Sequence, residues 1–143
     1  MKFTEQWQVY ALASAFFAGL TALFGKIGVT GINSNLATLI RTVVIFAVTA
    51  LIISFRKEWA NPSTISRHTF LFLLLSGIAT GLSWLCYYKA LQLGPASRVA
   101  PVDKLSVVFA VLLALFFLGE KLSVGAALGV FLIALGSVVM AVA

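Results

Sequence analysis

Leu122–Val142 reads LSVGAALGVFLIALGSVVMAV, an apolar run without one charged residue. The hydrocarbon core of a bilayer is about 30 Å thick and takes about 20 helical residues to cross. This stretch is therefore a membrane span. Measured back along the chain with the same ruler, four more spans are expected: Val9–Ile27, Ser34–Phe55, Thr69–Leu91 and Ser97–Leu118. Five crossings fill nearly all of the 143 residues, so the fold expected is an all-α integral membrane bundle of five transmembrane helices. It reads as a single domain over residues 5–142.

Composition agrees. The chain is 62% hydrophobic and only 10% charged, against about 25% charged for soluble domains, and its mean hydropathy is +1.09. The net charge of +6 does not point to nucleic acid, because the basic residues are scattered between apolar runs and form no stripe. Lys2 ahead of an apolar run with the Ala-x-Ala pattern Ala11, Leu12, Ala13 raises a signal peptide. The run continues unbroken to Gly25, however, which is the length of a crossing. Cys86 lies alone in an apolar run, where a thiol packs or faces lipid. Gly94-Pro95 is expected to break the chain between the third and fourth spans, and Asn61, Pro62 and Ser63 to make a turn. Gly119 suits a helix end and Ser123 a helix start.

Two charged sites are forced into the membrane. Only 14 uncharged residues separate Lys26 from Arg41, and 14 more separate Arg41 from Arg56. That is about 21 Å of helix each, too little to cross, so Arg41 enters the bilayer. The charge-free run after Lys104 is likewise too short, which draws Asp103 and Lys104 into the fourth span. Each site lies about 10 Å along its helix from the same end.

Helical projection sorts the spans by size. Ala11, Ala15, Ala18, Ala22 and Gly25 share a stripe of the first span; Gly77, Gly81, Trp84 and Tyr88 one of the third, beside Ser76, Thr80, Ser83 and Tyr87. Ala96, Ala100, Asp103, Val107, Ala110 and Ala114 align on the fourth, and Gly125, Gly129, Leu132 and Gly136 on the fifth. Small faces are expected to look inward, since close backbone approach supplies much of the packing energy between helices in lipid. The GxxxG pair Gly77 and Gly81 suits packing within the chain. Gly125 and Gly129, with Gly136, suit either that or a dimer contact.

Lys89 and Lys104 fall on bulky faces and read as headgroup anchors. Asp103 is the only acid inside a span, and an inward intramembrane charge marks a solute pathway or an ion pair; Arg41 and Lys26 are its candidate partners. Arg41 itself lies on the most polar face of the second span, where snorkelling and solute contact are both open. Trp84 and Tyr88 lie in the same membrane half and suit a pocket wall for amphipathic solutes or cations. Pro101 is expected to kink the fourth span near the charge. The candidate transport pathway is thus Asp103, Arg41, Trp84, Tyr88 and Lys26. No catalytic set, metal cluster or cofactor motif is expected.

Gly25-Lys26, Leu39-Ile40-Arg41, Ala90-Leu91-Gln92-Leu93-Gly94-Pro95-Ala96 and Leu118-Gly119-Glu120-Lys121-Leu122-Ser123, in this order and spacing, resemble the EamA-type domain of the drug/metabolite transporter superfamily. The resemblance covers essentially the whole chain and is to the short, single-domain bacterial and archaeal branch. It implies half of a ten-helix transporter fold, a small metabolite or drug-like cargo, and pairing into a homodimer or a heterodimer with a similar half. The first span departs from the related four-helix multidrug exporters, because Ala11–Gly25 holds no acid, so proton coupling through such a group is not implied.

The expected function is a transporter protomer in the cytoplasmic membrane of a prokaryote, with a non-transporting membrane subunit or assembly partner as the alternative. Helix parity sets Lys2, Arg56, Lys57, Arg67 and Lys121 against Lys26, Arg41, Lys89, Arg98 and Lys104. Omitting the intramembrane Arg41 and Lys104 leaves a weak excess that favours N-in, C-out insertion, with dual topology as the alternative.

Overall fold

The structure, a computed structural model, describes residues 6–143, with side chains from Trp7 onward. Lys2 and Glu5 lie outside the described residues. The described chain is helical, with no strand: α1 Gln6–Gly28, α2 Ser34–Arg56, α3 Arg67–Leu93, α4 Ala96–Asp103, α5 Ser106–Phe117 and α6 Val124–Val142, with a single 3-10 turn at Pro62–Thr64. Five stretches are long and apolar enough to cross a membrane: Trp7–Gly28, Ser34–Arg56, Arg67–Leu93, Ala96–Phe117 and Val124–Val142. They match the five expected spans to within a few residues.

Local chemistry explains most ends. Asn33 opens α2 by accepting from the Asn35 and Leu36 backbone N–H groups at 2.8 and 3.4 Å, and the Ser123 hydroxyl accepts from Ala126 N–H at 3.2 Å to open α6. Pro95 sits at the cap of α4 and supplies no donor. Gly119 takes a φ of +65°, the left-handed turn that frees the chain after α5. At the end of α2 the same conformation falls on Lys57, φ 56°. The N–H of Glu58 there reaches back to the Ile53 carbonyl and that of Lys57 to Ser54, satisfying the last carbonyls of the helix.

Six hydroxyls inside the spans bond to their own helix. Thr21, Thr38, Thr42, Thr49, Ser54 and Thr80 each donate to the carbonyl four residues back, at 2.6 to 2.9 Å. In hydrocarbon, where an unpaired polar group costs several kcal/mol, that local bond lets a polar residue face lipid.

The fourth span is interrupted after Pro101 by tighter turns. Pro101 has no N–H for the carbonyl of Ser97, and the chain beyond it closes on shorter turns: Lys104 N–H to Pro101, Leu105 N–H to Val102 and Val107 N–H to Lys104, each 3.0 Å. These three-residue reaches are 3-10 in character. They separate α4 from α5 at Lys104 and Leu105, directly after Asp103.

The chain forms two compact units. One takes the residues up to Lys26 and Leu93–Ala143. Within it α6 packs along both α4 and α5, Ala22, Gly25 and Ser137 are buried, and the Lys26 ammonium donates to the Gly94 carbonyl at 2.7 Å. The other is Ile27–Gln92, with α2 and α3. Its buried residues, Val29, Ser34, Ala37, Thr38, Tyr88 and Leu91, sit at the start of α2, the end of α3 and the connection before α2. The Gln92 side-chain amide donates to the Ile32 carbonyl at 2.8 Å, tying α3 to that connection.

The small stripes do not all look inward. A Cβ added at Gly77, Gly81, Gly125, Gly129 or Gly136 would meet no heavy atom within 4 Å. Of the α1 stripe only Ala22 and Gly25 are buried, and Ala11, Ala15 and Ala18 are exposed. On α6 Ser137 is buried and Gly129, Val130 and Ala134 are half-buried, while Gly125 and Gly136 are exposed. Close approach through a glycine face needs a second helix set tightly against that face, and nothing within the chain comes that near to the α6 glycines.

Candidate functional site

The second unit gathers a cation and three rings at membrane depth. Arg41 stands seven residues into α2 and Trp84 nine residues before the end of α3, so both lie about 10–14 Å along their helices from neighbouring ends. The Arg41 guanidinium carbon sits 3.2 Å above the centroid of Trp84 and 5.6 Å from that of Tyr88. Trp84 in turn meets Tyr87 and Tyr88 edge-on, with centroids 5.4 and 5.9 Å apart. Edge-to-face contact places positive ring edges on negative faces, and a half-buried cation over indole gains about 0.5–2 kcal/mol.

Tyr88 is buried while Arg41, Trp84 and Tyr87 are half-buried. Among the described residues Arg41 makes no hydrogen bond and no ion pair; its partners are rings. The side chain is thus held across the helix pair by the indole. Of the two openings left for Arg41 by its sequence, headgroup snorkelling and an inward role, this geometry favours the second. The aromatic face proposed for a cationic solute is already covered by the protein's own cation.

Asp103 and Lys26 belong to the other unit. Asp103 closes α4 at the break, and its carboxylate lies 3.7 Å from the ammonium of the next residue, Lys104. The pair is loose and partly exposed, the class of ion pair that adds little stability. Lys26 turns to the Gly94 carbonyl, fastening the end of α1 to the corner before α4. Lys89, the other expected anchor, bonds Gln92 Oε1 along its own helix at 3.1 Å. No group of three or more His, Cys, Asp or Glu side chains able to hold a metal occurs among the described residues.

Residues 6–142 match the EamA-like transporter family. The chain belongs to that family. It is also 55% identical over 139 residues to a protein of Sinorhizobium sp described as an "uncharacterized transporter in cobO 3'region", a match covering 97% of this chain and 99% of the relative. No solved structure matches. Membership in the EamA-like family makes the five spans those of a multi-pass membrane transporter. Its solvent is the bilayer, and its cargo a small solute.

The sequence puts Arg41, Trp84 and Tyr88 in one membrane half and leaves them unpaired. The usable signal was the antiparallel register: α2 counted from its first residue and α3 counted back from its last bring Arg41 and Trp84 level. The Lys26 bond to Gly94 was carried by no pattern, because it depends on a backbone carbonyl.

Proposed function

We propose that the chain is one protomer of an alternating-access transporter that carries a small metabolite or drug-like solute across the cytoplasmic membrane of a prokaryote and works as a dimer. The observation that carries this reading is Arg41 held on Trp84 within the spans. A charge at that depth costs several kcal/mol unless it is paired or hydrated, so an inward one points by default to a pathway or a pairing role. Asp103 at the α4–α5 break supports it, since irregular backbone at membrane depth is tolerated where it faces protein or water. Five spans without an internal repeat supply one of the two halves that rock about a midplane site.

Solute-dependent flux in vesicles reconstituted with the purified protein tests the reading. Amino acids, polyamines, sugar phosphates and lipophilic cations form the screen, and at least one is expected to move faster than in protein-free vesicles. No flux of any class, from protein that is folded and inserted, would favour a non-transporting subunit instead. Trp84→Ala, which strips the ring from beneath Arg41, is expected to change the preference among solutes by about tenfold while total turnover falls less. Equal losses for every solute would mean a packing defect.

Insertion is proposed as N-in, C-out for the major form. Paired reporter fusions after Ala143 check it: activity confined to the cytoplasmic reporter overturns the assignment, and activity of both reports dual insertion.

A further inference from the structure

We propose that Arg41, Trp84 and Tyr88 form an oxyanion subsite, in which a carboxylate or phosphate group docks on the free edge of the Arg41 guanidinium. Three observations converge on it. The Arg41 carbon lies over the Trp84 ring at 3.2 Å, which takes one face of the guanidinium and leaves its in-plane N–H groups outside the stack. Among the described residues none of those N–H groups meets a protein acceptor or a carboxylate. The ring cluster fixes the plane, with Trp84 braced edge-on by Tyr87 and Tyr88 and Tyr88 buried.

A π-face attracts a cation but does not neutralise it. The unit positive charge remains, at a depth where charge is costly, and a bidentate oxyanion is the ligand whose geometry fits the edge of a planar guanidinium. The stack also orients the fork beforehand, so less side-chain freedom is lost on binding. A cationic solute has the opposite problem. It meets the charge of Arg41, and the aromatic face that would receive it is occupied. The cluster therefore selects anions over cations.

The oxyanion has two sources, a soluble solute or a lipid headgroup phosphate, and the experiment separates them. The role of the subsite in selecting cargo rests on the transporter reading above; its binding chemistry does not. The full chain is placed in nanodiscs of zwitterionic phosphatidylcholine, with the exposed Trp7 and Trp59 replaced by phenylalanine so that Trp84 reports alone. Benzoate, phenyl phosphate and tetraphenylphosphonium are titrated against its fluorescence. A second set of nanodiscs contains phosphatidylglycerol, and native mass spectrometry reads the lipid retained.

Phenyl phosphate and benzoate are expected to bind, tetraphenylphosphonium not. Arg41→Gln is expected to weaken anion binding by about ten- to a hundredfold, the range for losing hydrogen bonds to a charged group. Arg41→Lys keeps the charge and loses the fork, and is expected to fall between. Both variants are checked for unchanged helicity and a monodisperse profile. Phosphatidylglycerol retained by the parent chain, lost in Arg41→Gln and displacing phenyl phosphate identifies the headgroup as the source; equal phenyl phosphate affinity in both lipids identifies the solute. Tetraphenylphosphonium binding as tightly as the anions, or anion affinity unchanged in both variants, overturns the subsite. Binding is read without flux, so the two proposals fail separately. Flux of neutral or cationic solutes without anion binding removes the subsite alone, and anion binding without any flux removes the transporter reading alone.

Discussion

Asp103→Asn is expected to abolish or uncouple flux while the protein stays folded, inserted and equally abundant. Asparagine keeps the shape of the side chain and removes its charge, so the comparison isolates ionisation. The ion pair lost, 3.7 Å to Lys104 and partly exposed on both sides, is too loose for its removal to unfold the unit. If the carboxylate instead binds solute or a coupling ion, the loss is that of charge-assisted hydrogen bonds, about 1.5–3 kcal/mol or ten- to a hundredfold in transport.

A second variant guards against the trivial explanation that Lys104, left unpaired, disturbs the break. Asp103→Asn combined with Lys104→Gln removes both charges and leaves a neutral segment. If Asp103 acts on cargo, the double variant is as inactive as the single one. Recovery of flux in the double variant would reduce Asp103 to a neutraliser of its neighbour, and normal flux in the single variant would return it to the structural class. The measurement is initial uptake rate in vesicles at matched protein content, for whichever solute the screen identifies.

The spans were legible because bilayer thickness is a ruler that hydropathy can be laid against. Leu122–Val142 could be read as a crossing without knowing its neighbours, and the shortage of uncharged residues on either side of Arg41 forced that charge inside. The Ser123 cap was legible for the same local reason, since it needs only the next turn of chain. The break after Asp103 was half legible. Pro101 announced a disturbance, but where the helix resumed depended on the three-residue turns from Pro101 to Leu105, which follow no residue pattern.

Facing was the least legible property. Projection correctly put Gly125, Gly129 and Gly136 on one stripe, yet in lipid a small stripe and a bulky one can both lie outside, because no aversion to solvent drives either inward. The polar Ser76, Thr80 and Ser83 on α3 are exposed, and Thr80 is satisfied by its own helix. In water such a face would have located the outside; here it does not. The Arg41–Trp84 stack escaped for a related reason, since depth follows from counting and azimuth between two helices does not.

Gly129→Leu is expected to weaken assembly of the active species by on the order of tenfold, about 1.4 kcal/mol, without harming the protomer. The structure makes this substitution a clean test. Space is open around Gly129, with no heavy atom within 4 Å of an added Cβ, and the same holds at Gly125 and Gly136. Leucine also favours helix more than glycine, by a few tenths of a kcal/mol to about 1. The first side-chain atom therefore meets nothing inside the chain, and a loss of assembly with helicity and insertion unchanged arises between chains, where a leucine holds two backbones apart that a glycine stripe lets approach. The proposed occupant of the stripe is a second copy, antiparallel if insertion is dual, or a similar half. Single-molecule subunit counting in lipid, over a dilution series of parent and variant, measures the effect alongside flux at each dilution. Gly77→Leu, equally open but on α3, separates an α6 contact from a general response to added bulk. An active monomer, or a dimer indifferent to Gly129→Leu and Gly125→Leu alike, would remove α6 from the assembly and leave the α3 glycines as the next face to test.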